Sequence, residues 1–233
     1  MDTGLIRRDA GHDTPVATIF VHEDGSRKSI TNRAHNYNFH PEKMTDAFAD
    51  TRAILLGSLF RAPFDDPRII REVLHFAKCH DILTFADTKL PNFRALTLDD
   101  LKDSLGLIDY ITPNEDEARY CTKKEDPGEM ADVFLSFGVR NVLIKLGAKG
   151  LFFKNRDVAY ALPALPVDAI DATGAGDNLA AGFASEILRG SSIEDALRFA
   201  NACGAICTTA VGAGTALKSR EQVLKLSKTA DTL

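Results

Sequence analysis

Residues 171–177, with the sequence DATGAGD, place two glycines between two carboxylates, directly before a stretch that is typical of a helix. The glycines let the backbone turn tightly and point several N–H groups in one direction. The following helix adds the unpaired N–H groups and the positive dipole end of its first turn. One site could therefore hold an oxyanion and, through Asp177, accept a proton. The alternative is an ordinary loop in which Asp177 caps the helix.

Other polar residues that could act with this loop follow predicted strands. Asn114 and Glu117 come at the end of one strand, one helical turn apart, so they can share a helix face. Their alternative role is a helix cap and an exposed glutamate. Asp87 and Lys89 follow another strand, where they could contact phosphates or an acceptor, or form an ordinary turn.

Two patterns describe the elements that must position these residues. Residues 16–21 and 27–31 predict a β-hairpin around an Asp-Gly turn. From residue 53 onwards short apolar strands alternate with helices. The predicted strands are 53–57, 82–86, 107–112, 141–145 and 150–153, and the predicted helices are 67–79, 98–105, 175–189 and 192–210, with further helices opening at 114, 126 and 219.

This alternation predicts an α/β fold, in which helices cover both faces of a mostly parallel sheet. Such sheets bind ligands at the carboxyl ends of their strands, where the polar residues above are expected to lie. No repeat or linker is visible, so residues 1–233 are predicted to form a single domain. Within it, 14–31 is the hairpin and 53–233 is the α/β core.

Composition and charge argue against several kinds of protein. The net charge is −5 and the pI is near 5.7, so no nucleic-acid-binding surface is predicted. No apolar run approaches the roughly 18–20 residues that span a bilayer. The N-terminus lacks the basic and apolar order of a signal peptide, so we expect no membrane partner and a cytoplasmic location.

Cysteine and histidine spacing argues against a zinc enzyme. The four cysteines form no CxxC pair, and the six histidines form no HExxH pair. Cys203 and Cys207 could share a helix face, where a metal or redox site is one alternative. Burial as small apolar side chains is the favoured interpretation.

Four segments, in the same order along the chain, resemble the ribokinase (PfkB) family of carbohydrate kinases. Residues 112–118 (TPNEDEA) are similar to the family's Asn-Glu-x-Glu segment, and 144–150 (IKLGAKG) to its Leu-Gly-x-x-Gly turn before a hairpin. Residues 171–177 resemble its C-terminal signature. The fourth segment combines 199–202 (FANA) with 211–214 (VGAG), like the family's adenine-side helix and loop. The resemblance implies a ribokinase-like three-layer α/β/α fold and an ATP-dependent sugar kinase.

By that resemblance Asp177 is the catalytic base, and the backbone of the loop from Gly174 through Ala175 to Gly176 holds the charge of the transferring phosphoryl group. The sequence contains no GxxxxGK[ST] motif, so the phosphates of ATP must rest on this glycine loop. The other residues implied in nucleotide binding are Asn114, Glu117, Lys145, Gly147, Gly150, Asn201, Gly212 and Gly214. Lys145 departs from the family, where a small hydroxyl residue often precedes Leu-Gly. It could reach a nucleotide phosphate or be exposed.

Two metal sites are also implied by the resemblance. Asn114 and Glu117 belong to the segment with which the family organises Mg²⁺, with Glu117 acting through water. Asp171 and Thr173, together with the 211–214 loop, occupy positions at which many relatives bind a monovalent cation such as K⁺.

The resemblance does not extend over the family's N-terminal segment, where a strand with an acidic residue and a Gly-Gly segment bind the sugar. The chain is expected to begin inside the family pattern, just before a remnant of the lid hairpin, with roughly 60 residues missing at about 30 per strand–helix unit. Three hypotheses stay open: a sugar kinase, a non-catalytic nucleotide-binding remnant, and a nucleoside kinase of the same fold. Lid strands of relatives often pair between subunits, which implies a homodimer.

Overall fold

Two short strands form an antiparallel hairpin of their own. They are β1 (Ala17–Val21) and β2 (Arg27–Thr31), paired so that Ala17 lies opposite Thr31. The computed structural model describes residues 16–22, 27–31, 51–91 and 94–228. The two strands pair as predicted, while the Asp-Gly turn and residues 14–15 lie outside the described residues.

A six-stranded sheet forms the centre of the fold. Its strands, in spatial order, are β3 (Ala53–Leu59), β4 (Leu83–Thr88), β5 (Tyr110–Ile111), β6 (Asn141–Lys145), β7 (Leu151–Asn155) and β8 (Ala159–Leu162). The first four strands run parallel, and β7 and β8 add to the sheet as antiparallel strands. The predicted mostly parallel sheet is therefore confirmed.

Five of the seven helices in the described part of the chain begin at a residue whose side chain caps them. The seven helices are α1 (Pro67–Cys79), α2 (Lys102–Leu105), α3 (Glu115–Thr122), α4 (Pro127–Ser136), α5 (Ala175–Leu188), α6 (Ile193–Cys207) and α7 (Arg220–Ser227). Asp66 and Asp126 each accept a backbone hydrogen bond from the first turn of the helix that they precede, and a proline follows each of them. These are the acceptor and the fixed φ that favour a helix start.

Strand β6 shows how the two faces of the sheet are covered. Val142 and Ile144 point into a core formed with α1, α2 and α4, whereas Leu143 points into a second core formed with α5 and α6. All three side chains are buried, as expected of a strand with helices on both faces. The chain therefore has the three-layer α/β/α architecture.

Helices α5 and α6 pack closely because small residues face each other. A Cβ on Gly182 would lie 2.7 Å from the sulfur of Cys203. Cys203 and Cys207 are both buried, and burial raises the pKa of Cys203 to about 12. No group of three metal-ligating side chains occurs among the described residues. The favoured interpretation of these cysteines as small packing residues agrees with this geometry.

Several elements differ from the predictions. The helix predicted at 98–105 is a 3₁₀ turn at Asp99–Leu101 followed by α2, and the helix predicted at 192–210 ends at Cys207. The strand predicted at 107–112 is shorter, because Leu107 and Ile108 donate backbone hydrogen bonds to Ser104 and Leu105 and so extend the turn after α2. Strand β8 was not predicted, since its four residues alternate only between exposed and half-buried. Within the described ranges, no helix combines the length and apolar character needed to cross a membrane.

Candidate active site

The glycine loop forms a backbone cradle at the start of α5. Gly174 occupies the N-cap position with φ 78°, a left-handed conformation that favours glycine. A Cβ at Gly174 would lie 2.6 Å from the Cβ of Ala213, so the neighbouring loop also requires a glycine there. Ala175 and Gly176 then begin the helix. The N–H of Ala175 donates to the carbonyl of Ala172 at 3.2 Å, and that of Gly176 lies in the first turn, where N–H groups have no intrahelical acceptor. A glycine turn followed by a helix start is the backbone geometry in which anions bind.

Asp177 is the third residue of α5 and its side chain is exposed. It does not cap the helix, because Gly174 holds the cap position without a side-chain hydrogen bond. Among the described residues no hydrogen bond or ion pair engages the Asp177 carboxylate. Its oxygens can therefore accept hydrogen bonds from a bound ligand.

Asn178 ties the cradle to the loop that follows α6. Its Nδ2 donates to the carbonyl of Gly174 and to the carbonyl of Ala213, both at 2.8 Å. The same amide lies 3.3 Å from the sulfur of Cys207. Sequence reasoning missed this residue, although it directly follows the candidate base.

A cavity of about 560 Å³ extends from the cradle between the β6–β7 turn and α6. A volume of this size is typical of a pocket for a small molecule. Seven of the predicted site residues line it: Lys145, Gly147, Gly150, Asp171, Ala175, Gly176 and Asn201. Residues of 164–169, together with Gly204, Ala205 and Thr208, also line the cavity and were not predicted.

The two glycines of the β6–β7 turn have different reasons to be glycine. Gly150 has φ 104°, and a Cβ there would lie 2.0 Å from the carbonyl oxygen of Leu162. Gly147 has φ 59° and its position opens onto free space. On the far wall, Asn201 donates to the carbonyl of Pro163 at 2.8 Å and so anchors the loop that lines the cavity.

Beneath the cradle, Lys145 forms a buried ion pair with Asp87. Its side chain is 10% exposed and that of Asp87 is 8% exposed. The same oxygen of Asp87 accepts a hydrogen bond from the hydroxyl of Thr112 at 3.0 Å. Lys145 is therefore not an exposed surface lysine, and Asp87 does not belong to an ordinary turn. Lys89, which follows β4, is half-buried.

Asn114 and Glu117 form a reciprocal capping box at the start of α3. Asn114 Oδ1 accepts from the backbone N–H of Glu117, and Glu117 Oε2 accepts from that of Asn114, both at 2.9 Å. The hydroxyl of Thr88 donates to the same Oε2 at 2.9 Å. Glu117 is buried rather than exposed, and this burial raises the pKa of its carboxyl. The structure thus brings both residues to the carboxyl edge of the sheet.

Asp171 organises the loop before the cradle. Its Oδ1 accepts from the N–H of Thr173 at 2.9 Å and from the Thr173 hydroxyl at 2.6 Å. Its Oδ2 accepts from the N–H of Gly212 at 2.9 Å. The three predicted residues therefore come together, whereas Gly214 lies at the exposed end of its loop, with nothing near its Cβ position.

The fold and this site together define a three-layer α/β/α protein with a backbone cradle at a helix start rather than a Walker-type loop. The chain belongs to the pfkB family of carbohydrate kinases, because the family model matches residues 1–220. Family membership also confirms the ribokinase-like fold that the four sequence segments imply.

Individual relatives give the same result. A ribokinase of Haemophilus influenzae is 39% identical over 126 residues, which are 52% of this chain and 41% of that protein. A ribokinase of Staphylococcus aureus is 29% identical over 234 aligned positions, which cover 96% of this chain and 73% of the relative. The chain thus aligns with less than half the length of the first relative and with nearly three quarters of the second.

A solved structure of Arabidopsis thaliana ribokinase complexed with ribose and ATP has a TM-score of 0.74 to this chain at 27% identity. The superposition covers 93% of this chain and 70% of that one. The structural similarity therefore extends over most of this chain.

Proposed function

We propose that the chain is an ATP-dependent carbohydrate kinase that transfers the γ-phosphoryl group to a sugar hydroxyl. The observation that carries the proposal is the glycine cradle at the start of α5, which opens onto the cavity and has Asp177 beside it. The ribokinase names of two relatives, and the ribose and ATP in the Arabidopsis complex, support this choice of substrates.

In this mechanism Asp177 receives the proton of the attacking hydroxyl. The backbone N–H groups of Ala175 and Gly176, with the turn at Gly174, stabilise negative charge on the transferring group. Phosphoryl transfer passes through a loose transition state that needs positioning and charge stabilisation more than covalent chemistry. The backbone cradle is already formed, and the N–H of Ala175 must exchange its hydrogen bond to the carbonyl of Ala172 for one to the phosphoryl group.

The remaining residues are proposed to hold the nucleotide. Gly147 and Gly150 shape the turn on one side of the cavity, and Asn201 secures the opposite wall. Gly212 and Gly214 belong to the adenine-side loop, of which Gly212 is fixed by Asp171. The turn glycines permit a close approach of backbone to ligand.

The residues at the edge of the sheet fit a magnesium ion that keeps most of its waters. Glu117 Oε2 already accepts two hydrogen bonds, which leaves the other carboxylate oxygen to orient water rather than to form a full protein cage. Mg²⁺ prefers such sites, which combine few carboxylates with substrate phosphates, and supplies charge neutralisation there. Asp171 and Thr173 are proposed to lie at a K⁺ site, since their oxygens and the neighbouring loop carbonyls suit a hard cation.

The test is release of ADP by the full chain with MgATP and a panel of hexoses, pentoses, keto-acids and nucleosides, with and without K⁺. Turnover with a sugar is the expected result. Turnover with nucleosides alone would assign a nucleoside kinase of the same fold. ATP binding without turnover of any acceptor would identify a non-catalytic nucleotide-binding protein.

We also propose that the hairpin mediates homodimer formation. Val16, Phe20 and Ile30 are 61%, 53% and 67% exposed, which is unusual for large apolar side chains so close together. Phe20→Ser is expected to shift a dimer towards monomer in sedimentation velocity across a concentration series. A wild-type chain that stays monomeric at every concentration would contradict this proposal.

A further inference from the structure

Lys145 has hydrogen-bonding capacity that the protein does not use. A lysine ammonium carries three N–H donors, and one of them is given to Asp87. Within the described part of the chain, the other two have no hydrogen-bond acceptor. The side chain nevertheless remains at the floor of the cavity, where Lys145 is one of the lining residues.

The ammonium lies directly beside the cradle. A Cβ on Gly176 would be 3.5 Å from Lys145 Nζ and 3.4 Å from its Cδ. The backbone explains this position, because Lys145 ends β6 and bridges to Asn114 at the next strand end. A positive charge and the N–H groups of the helix start therefore converge on one small volume.

Asp87 fixes the direction of the lysine side chain. It lies on β4, two strands away in the sheet, and its carboxylate accepts a hydrogen bond from Thr112, which directly follows the strand between them. Lysine has a long flexible stem, so an unpaired ammonium would sample many positions. The acceptor at Asp87 restricts it to the edge of the cradle.

We propose that Lys145 contacts the phosphoryl group held in the cradle and that Asp87 is the positioning residue for this contact. The inference rests on the proposed kinase function, since it assumes that a nucleoside triphosphate binds there. Its consequence is discrimination: ATP places a terminal phosphate beside the ammonium, whereas ADP does not. Lys145 thereby raises affinity for the triphosphate and stabilises the charge that develops during transfer.

A competing explanation is that the pair only stabilises the fold. Removing one partner of a buried ion pair leaves an unpaired charge and is destabilising, whereas replacing both partners with uncharged residues is often neutral. The double variant Asp87→Asn/Lys145→Met therefore separates the two roles. It removes the phosphate contact and leaves neither partner of the pair as an unpaired charge. Glu117, which the charge of Lys145 also stabilises in its ionised form, keeps its hydrogen bonds from Thr88 and Asn114.

The experiment compares the wild-type chain, both single variants and the double variant. Calorimetry without sugar gives the affinities for MgATP and MgADP, steady-state assays give kcat and KM, and thermal unfolding gives Tm. For the double variant we expect a Tm close to wild type and ATP affinity lower by about 10- to 100-fold, the value of one hydrogen bond to a charged group. The affinity of the double variant for ADP should stay within about threefold of the wild-type affinity, which is less than the loss expected from one such hydrogen bond.

Lys149→Met is the matched control because it removes one lysine from the same turn. Its side chain is 70% exposed and pairs with Glu115 instead of facing the cradle. It should leave the ratio of ATP to ADP affinity unchanged. A double variant with wild-type kcat and an unchanged ratio would overturn the role of Lys145 and leave the kinase proposal standing. A wild-type chain that fails to bind ATP would overturn both.

Discussion

Asp177 and Glu117 are both carboxylates in the first turn of a helix, but their surroundings in the fold are opposite. Glu117 is buried, caps α3 and accepts two hydrogen bonds on one oxygen. Asp177 is exposed at the third position of α5, and no described residue bonds to it. The difference separates a carboxylate that stabilises the structure, in addition to its proposed role at Mg²⁺, from one whose proposed role is chemical alone.

The strongest test of this difference is Asp177→Asn. General-base catalysis contributes about 10²–10⁴-fold to the rate, and we expect kcat to decrease by a factor near the upper end of that range. Tm should be unchanged, since the side chain is exposed and makes no protein hydrogen bond. Asp103→Asn, which alters an exposed aspartate in the first turn of α2, is the matched control and should change neither quantity. Retention of most sugar-dependent turnover in Asp177→Asn would refute the base assignment.

A second test contrasts the two glycines of the cradle. Gly176→Ala meets no atom closer than 3.4 Å and replaces a helical glycine, so Tm should hold or rise slightly. Its methyl group fills the cradle beside Lys145, and the loss in kcat should approach the roughly 10²–10³-fold that one anion-hole donor carries.

Gly174→Ala should instead lower Tm, because alanine in the left-handed region costs roughly 1–2 kcal/mol and its Cβ would meet Ala213. Thermal unfolding and sugar-dependent ADP release measure the two variants in parallel. Equal losses of Tm in both would show that the cradle is a packing feature rather than an anion site.

Glu117 is expected to affect stability more than chemistry. Glu117→Ala removes the acceptor of two hydrogen bonds at a buried site, and we expect the free energy of unfolding to fall by about 1–3 kcal/mol. Denaturant unfolding measures the change. An unaltered free energy of unfolding would show that neither hydrogen bond stabilises the fold.

Glu117→Gln tests the smaller, pH-dependent effect because it can keep the acceptor while removing the charge. Burial raises the folded-state pKa of Glu117 above its ordinary value of 4.5, so the folded chain binds its proton more tightly than the unfolded chain does. The associated stability is complete below pH 4.5 and is lost as the pH rises through the folded pKa. Relative to Glu117→Gln, the wild type should therefore become less stable across this window. A constant difference would contradict the assignment.

Local sequence patterns predicted the elements that carry their own signals. Strand β6 is an apolar run, and α1 begins at an Asp-Pro pair, so both were placed correctly. The cradle was predicted because its glycines, its acid and its helix are contiguous in sequence. Strand β8 was not predicted, because a half-exposed strand of four residues has little apolar periodicity.

Contacts between distant residues could not be predicted in the same way. Lys145 and Asp87 are separated by 58 residues, and only the parallel sheet brings their strand ends together. The 164–169 wall of the cavity has the composition of an ordinary proline-containing loop, and its role appears only when α6 is packed behind it.

The amide of Asn178 holds two carbonyls that belong to different segments, one before α5 and one after α6. The loop from Thr208 to Ala213 therefore cannot gain or lose a residue without moving Gly174. We therefore expect insertions and deletions in that loop to be tolerated less well than substitutions of its side chains.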